Sequence, residues 1–341
     1  GFGEPGAVAV ISRDDDASFR LFVRPKDPAV ERWTGRRAGV EGALADHGAD
    51  EAYPIDELAD RLPALLENRP VLGYGYGRDD TDDQVNTALE RVRGRIREGV
   101  RAPDATVDPA SVLAEMRLIK GPEEVDLLRS AVEITREGHL AAMAASKPGG
   151  FEYEVEAELT GTFRRLGGTG LGYTPIVAAG ENACILHYIE NSGPLEAGRL
   201  LLVDAGSEVD CYTADVTRTW PVDGTFTEVQ RELYSIVLEA NLAAISAIRP
   251  GALFSDVHHA ALRVLVAGMC DLGLIEGPPD EAEREARYRQ HFMHRTSHWL
   301  GMDVHDCGSY ERDGDSRCLE AGMGLTVEPG LYLDADAAVP E

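Results

Sequence analysis

The stretch HRTSHWLGMDVHD, residues 294–306, gathers three of the chain's nine histidines into thirteen positions, together with Asp303, Asp306 and Trp299. Histidine titrates near neutrality and serves as metal ligand or proton carrier. Two further segments set carboxylates among apolar residues. In LLLVDAGSEVDCYTADVTRTW (200–220) an apolar run ends at Asp204, a glycine turn follows, and a second run carries Asp215. In GMGLTVEPGLYL (322–333) Glu328 sits among Leu325, Val327 and Leu331, directly before Pro-Gly. A buried carboxylate is costly unless paired or metal-bound, and carboxylates brought together raise one another's pKa unless a cation neutralises them. Two aspartates, one glutamate and a histidine from 294–305 make an oxygen-rich donor set with one nitrogen type. That set suits manganese, cobalt or zinc better than a thiolate site would. Two such ions bridged by carboxylates activate a shared water and polarise a carbonyl. Taken singly, each aspartate also fits a turn or cap, and Glu328 also fits an edge strand with its charge outward.

The elements that must position these residues follow from the pattern on either side. Residues 1 to about 110 alternate short apolar strands (AVAVIS, SFRLFV, PVLGYG) with helical stretches near 55–67 and 82–98, which predicts a small α/β domain. The glycine-rich GYGYGRDD (73–80) fits neither phosphate-loop spacing, and two aspartates follow where phosphate needs positive charge. A long helix is expected from Pro122, with Glu123, Glu124 and Asp126 at the positive end of its dipole. Lys147-Pro148-Gly149-Gly150 stops it, and FEYEVEAELTGTFRRLG forms the next helix. A second helix, basic-Pro-Gly break and helix occupy residues 232–265. An offset of 102 residues superposes Pro148 on Pro250, Gly149 on Gly251 and Val155 on Val257. Strand-like segments are expected beside each pair, at 171–188 and 199–219 for the first and at 293–305 and 323–333 for the second. The expectation is two related halves facing each other across a cleft.

Composition narrows the function classes. At 341 residues, 43% hydrophobic and 27% charged, the chain has room for two globular domains. It has no run of eighteen apolar residues. Net charge is −27, with three lysines among 33 basic residues, which argues against nucleic acid or an anionic membrane as partner. Five cysteines without C-x-x-C spacing favour free thiols in a reducing, cytoplasmic setting; Cys307 and Cys318 lie close enough to the histidine motif to be weighed as zinc ligands. The start GFGEPGAVAV reads like a strand already under way, so the numbering is expected to begin inside a longer protein.

ENACILHY, VDAGSEVDCYTADVTRTW, FMHRTSHWLGMDVHD and LTVEPGLY resemble, in order over about 115–335, the signature segments of the Xaa-Pro aminopeptidase (aminopeptidase P) family. That family belongs to the M24 metallopeptidases, with the creatinase/methionine-aminopeptidase or pita-bread fold. The resemblance implies an α+β architecture, with a smaller creatinase-like α/β domain over 1–112 and a pita-bread catalytic domain over 113–341. It implies two divalent ions, commonly manganese, held by Asp204, Asp215, His298 and Glu328. His305 would donate to the substrate carbonyl and pass protons, and Glu328 would accept the proton of the attacking water. His187 would be a further donor, Tyr173 would bond a ligand carboxylate, and His294 and Tyr332 would line the proline pocket. Substrates would be peptides with N-terminal Xaa-Pro, and the assembly a homodimer or homotetramer. Prolidase activity on Xaa-Pro dipeptides and a metal-free binding module are the rival readings.

Two departures stand out. The family's fifth ligand is a glutamate in an Arg-x-Glu strand shortly after EPGLY. This sequence stops at Pro340-Glu341, where Glu341 follows the loop-like DADAAVP, and the protein is expected to continue further. Arg295 stands beside His294 where the family usually has glycine or another small residue, which places a long cation next to the site. His47, His139, His258, His259 and His291 match no motif and read as surface or packing residues.

Overall fold

The structure is a computed structural model that describes residues 2–13, 16–77 and 79–333. Glu341 and the DADAAVP segment lie outside the described residues. The chain divides into two compact units, residues 1–110 and 111–341.

In the first unit the strands Val8–Ile11 and Phe19–Val23 pair antiparallel, with Val8 opposite Phe22, and Phe19–Val23 pairs parallel with Glu51–Pro54. Phe22 is fully buried against Leu58, Leu62 and Leu66 of one helix and Val85, Leu89 and Val92 of another. Spacings of three and four residues put each helix's apolar side chains on one stripe. The amide of Gly77 donates to the carboxylate of Asp82 at 2.9 Å, so a negative group sits on the glycine-rich loop. His47 packs edge-on against Phe2.

The second unit repeats one plan twice. Helix Pro122–Ala145 starts with proline at its first position, and Glu124 accepts from the Gly121 amide at 2.7 Å. It is followed by helix Glu152–Arg165. Helix Glu228–Ala247 is closed by the reciprocal Thr227–Gln230 capping box and followed by helix Phe254–Asp271. The second helices begin at Glu152 and Phe254, the same offset of 102 residues. The correspondence extends to backbone detail. Gly149 and Gly251 both take φ of +86°, a conformation open to glycine at no steric cost. Their amides donate at 2.8 Å to Leu195 and Leu319 respectively.

Each helix pair buries its own core. The first packs Val155, Leu159 and Phe163 on Val177, Leu201, Val203 and Trp220 of an antiparallel sheet. That sheet has Leu200–Ala205 at its centre, between Val216–Pro221 and Ile176–Ala179. His139 is buried on the helix side of this layer, 3% exposed, as a packing residue. The second pair packs Val257, Ala261, Leu265 and Met269 against Phe292 and Trp299.

The expected strands of the second half do not form as regular strands. Residues 296–300 and 324–328 do run antiparallel, joined by Leu300 N to Gly324 O, Thr326 N to His298 O and Glu328 N to Thr296 O. A return bond is missing because the His298 amide donates at 3.0 Å to the Thr326 side-chain hydroxyl rather than to a main-chain carbonyl. Both segments donate, but a ladder with such gaps falls short of a regular sheet. The segment 171–188 is likewise strand only at Gly170–Leu171 and Ile176–Ala179.

Candidate metal centre

The hairpin expected around Asp204 and Asp215 forms. Thr217 lies opposite Asp204 across the antiparallel pair, and Asp215 precedes it by two, so both carboxylates share a face. Between them the chain makes a small inner hairpin, Ser207–Val209 with Tyr212–Thr213. Gly206 makes this crossing possible: a Cβ there would lie 1.7 Å from the Ala214 carbonyl oxygen.

From the other half, this interrupted ladder delivers His298 and Glu328. One ligand atom each from Asp215, His298 and Glu328 lies within 4.8 Å of the others. His298 Nε2 stands 3.1 Å from Asp215 Oδ2 and 3.2 Å from Glu328 Oε1. Its Nδ1 is 2.9 Å from the Trp299 carbonyl, an acceptor that fixes Nδ1 as the protonated nitrogen and Nε2 as the ligand. Asp204 lies outside this trio but is tied to it by Tyr173, whose hydroxyl contacts Asp204 and Asp215, the latter at 2.9 Å.

The electrostatics are those of crowded carboxylates. Burial, then repulsion from Asp215, pushes Asp204 up from 3.8 to about 7. Burial pulls His298 down, but its bonds to Asp215 and Glu328 prevail and raise it to about 10. Burial and the two aspartates raise the Tyr173 hydroxyl far above its usual range, so it stays a donor. Replacing Tyr173 with phenylalanine removes the donor that orients both carboxylates. Metal affinity is expected to fall about 10- to 100-fold, read as the chelator concentration that strips the protein.

The remaining expected residues fall in different places. His305 is exposed, its ring centroid 4.4 Å from that of His298. His294 Nε2 is 2.9 Å from the Tyr332 hydroxyl, and the charges of Glu328 and Asp204 act on that tyrosine. His291 is buried and holds the same segment, its carbonyl accepting from the Tyr332 amide at 2.9 Å. His187 is exposed and, among the described residues, makes no hydrogen bond or ring contact with the cluster. Cys307 and Cys318 are free thiols and are not in the donor group.

Several supporting residues had no motif to mark them. Thr326 donates to Glu328 Oε1 at 2.8 Å while receiving the His298 amide. Asn241 donates to the Val327 carbonyl at 2.8 Å. Glu152, fully buried, accepts from the Ala179 amide (2.7 Å), Asn182 Nδ2 (2.9 Å), the Tyr188 hydroxyl (2.8 Å) and the Gly193 amide (2.6 Å). It pins the loop that carries His187. Glu152→Gln turns one acceptor oxygen into a donor facing donors, at about 3 kcal/mol. The melting temperature is expected to drop by about 6–12 °C in a thermal scan.

A family model described as Metallopeptidase family M24 matches residues 126–339, the larger part of the chain. The chain belongs to metallopeptidase family M24. A second model, Aminopeptidase P, N-terminal domain, matches residues 1–72. This M24 chain is 44% identical over 344 residues to Xaa-Pro aminopeptidase of Escherichia coli, spanning 100% of the chain and 78% of that relative. It is 42% identical to the Xaa-Pro aminopeptidase of Haemophilus influenzae, over 100% of the chain and 77% of the relative. Among solved structures, aminopeptidase PepP of Pseudomonas aeruginosa superposes with TM-score 0.97 at 44% identity, over 100% of this chain and 77% of that one. Zinc-substituted E. coli aminopeptidase P in complex with product superposes at 0.95, with 44% identity and 100% and 78% coverage. The fold is therefore the pita-bread fold of M24 preceded by an aminopeptidase P N-terminal domain. Membership of a metallopeptidase family implies a divalent metal, and the Asp215, His298 and Glu328 donor set fits one.

Proposed function

We propose that the protein hydrolyses the bond between an N-terminal residue and a following proline, releasing the first residue. The observation that carries the reading is the tight donor trio, present in a chain whose full-length relatives are named Xaa-Pro aminopeptidases. Asp204, Asp215, His298 and Glu328 would hold two divalent ions. Manganese is the first choice for this oxygen-rich set, with cobalt or zinc as alternatives. A divalent ion supplies Lewis-acid polarisation and water activation.

The chain's own residues supply the rest. Tyr173 keeps Asp204 and Asp215 aimed, and Thr326 does the same for Glu328, which accepts the proton of the attacking water. His305, exposed beside His298, donates to the oxygen on which charge develops and returns a proton to the leaving nitrogen. His294 and Tyr332 stand edge to face, with ring centroids 5.5 Å apart, and form the wall for the proline ring. His187, on the loop held by Glu152, reaches the substrate as a further donor. Residues 1–112 and 113–341 are taken as the N-terminal and catalytic domains.

Five free thiols support a reducing, cytoplasmic setting, and among the described residues no helix is long and apolar enough to cross a membrane. The assembly is taken as a homodimer or homotetramer, to be measured by sedimentation.

Two titrations make metal binding proton-linked. Asp204 and His298 both have folded pKa values above their unfolded ones, about 7 against 3.8 and about 10 against 6.5. Each contributes stability to the metal-free protein below its unfolded value and loses it as pH rises through the folded value. The metal requires the deprotonated forms. The melting-temperature gap between manganese-loaded and chelator-treated protein is therefore expected to widen from pH 5 to pH 8. A constant or narrowing gap would overturn the linkage.

The function is tested by metal analysis with turnover of Xaa-Pro-Yaa, Xaa-Ala-Yaa and Xaa-Pro peptides. Two metals per chain and release of free Xaa from Xaa-Pro-Yaa alone support the aminopeptidase. Cleavage confined to the dipeptide makes it a prolidase, and no metal with no turnover in added manganese leaves a binding module.

A further inference from the structure

A cavity of about 450 Å³ shares His294 with the site and has a different chemistry. Its wall includes His258, His259, Arg289, Arg295 and Ser297, and no carboxylate. The chain carries 60 acidic against 33 basic residues, so an acid-free wall with two guanidiniums runs against its own composition. Neither Arg289 nor Arg295 forms an ion pair among the described residues. Ser297 is 6% exposed and its hydroxyl has no hydrogen-bond partner among the described residues, so a buried polar group on this wall is open to a ligand. His258 Nδ1 lies 2.9 Å from the Thr296 hydroxyl, and in the tautomer in which it accepts from that hydroxyl Nε2 carries the proton and can donate to a ligand. A row of rings joins the cavity to the centre: His258, Phe292, His294 and Tyr332, with successive centroids 5.7, 4.9 and 5.5 Å apart.

Resting on the reading that His294 and Tyr332 receive proline, we propose that this cavity binds a carboxylate carried by the residue after proline. His294 and Arg295 are consecutive and both line the cavity, so the step from the proposed proline wall to the cationic wall matches the roughly 3.8 Å that one peptide residue spans. Guanidinium forks, an imidazole and a hydroxyl are the donors a carboxylate takes, and they offer little to an ammonium. The need is physical as well: a chain of net charge −27 repels acidic peptides at long range, and a local cationic cavity reverses that at the point of docking. Two sources share this chemistry, the terminal carboxylate of a tripeptide and an acidic side chain at the third position.

The test uses the manganese-loaded full chain and three peptides: Ala-Pro-Ala, Ala-Pro-Ala-amide and Ala-Pro-Asp-amide. At least one acid is expected to exceed the neutral amide about tenfold in kcat/KM. Preference for Ala-Pro-Ala identifies the peptide terminus; preference for Ala-Pro-Asp-amide identifies the side chain. In the double variant Arg289→Gln, Arg295→Gln the ratio of acid to amide should fall toward one. Acids no better than the amide, or a preference that survives both substitutions, overturns the proposal. Should no Xaa-Pro peptide be cleaved, the proposed function fails, and the cavity is then decided by calorimetry with the acids Pro-Ala and Pro-Asp-amide against the neutral Pro-Ala-amide. Tighter binding of either acid supports it, and equal affinities overturn it.

Discussion

Replacing His298 with alanine is expected to release bound metal and to lower kcat/KM for an Xaa-Pro tripeptide by about a thousandfold or more, since the metal supplies several kcal/mol of transition-state stabilisation. His298 provides the one nitrogen of the Asp215, His298 and Glu328 trio, and without it two carboxylates face each other with no neutral ligand. His305→Ala is the informative contrast. It removes an exposed donor whose ring packs edge-on against that of His298, centroids 4.4 Å apart, without removing a proposed ligand. Metal content should stay at the wild-type value while kcat falls about 100- to 1,000-fold, the loss usual for one oxyanion donor. Metal analysis beside steady-state kinetics separates the two variants. Equal metal loss in both would mean that His305, too, holds the ion, and full activity in His298→Ala would remove it from the donor set.

Asp306→Ala is expected to cost about 3–5 kcal/mol of stability. Lys120 Nζ lies 3.0 Å from Asp306 Oδ2 with both side chains 1% exposed, and Asp306 also accepts from Arg117. Alanine leaves the Lys120 ammonium buried without its partner. Lys120→Met strands the carboxylate, for a similar loss reduced by the Arg117 contact. The double variant Lys120→Met, Asp306→Leu should recover part of it, because replacing both charges by apolar groups removes the unpaired one. Urea midpoints followed by the fluorescence of Trp220 and Trp299 measure the effect, and additive losses in the double variant would rule out coupling. Asp306 neighbours His305, so activity should fall more than the unfolded fraction alone explains.

Local chemistry explains which features could be read before the fold was seen. The helix whose cap was read in adjacent residues, Pro122 with Glu124, starts where the sequence says, whereas the helix expected from residue 232 starts at Glu228, because Thr227 and Gln230 cap it one turn earlier. The Asp204 and Asp215 pairing was legible because eleven residues with a glycine turn leave few other ways to return. The other failures share one cause. Residues 293–305 and 323–333 carry strand composition, yet the Thr326 hydroxyl takes the amide bond that would complete a ladder, and no periodicity reveals that. Nothing local marks Glu152, an acid in the first turn of its helix, because its four donors come from residues 179–193. Lys120 did leave a trace: it is one of only three lysines in a chain that otherwise uses arginine. His258 and His259, read as surface or packing residues, line a cavity whose wall is assembled from two separated segments.

The joint between residues 119–120 and 322–323 carries a consequence for how the protein is made. Ile119 bridges Met323, the Lys120 amide donates to the Gly322 carbonyl at 2.8 Å, and Lys120 reaches Asp306. Contacts about two hundred residues apart thus close the catalytic unit, and Glu328 lies beyond them. On the ribosome, the first helix pair and its sheet can collapse on their own core while the partner of Lys120 has yet to be synthesised. During that interval an ammonium destined for the interior must stay in water, and the aspartates of the finished sheet have no Glu328 to meet. Closure of so long a loop is a late, slow event. Nascent chains stalled before residue 306 should therefore hold a folded first half that binds no metal.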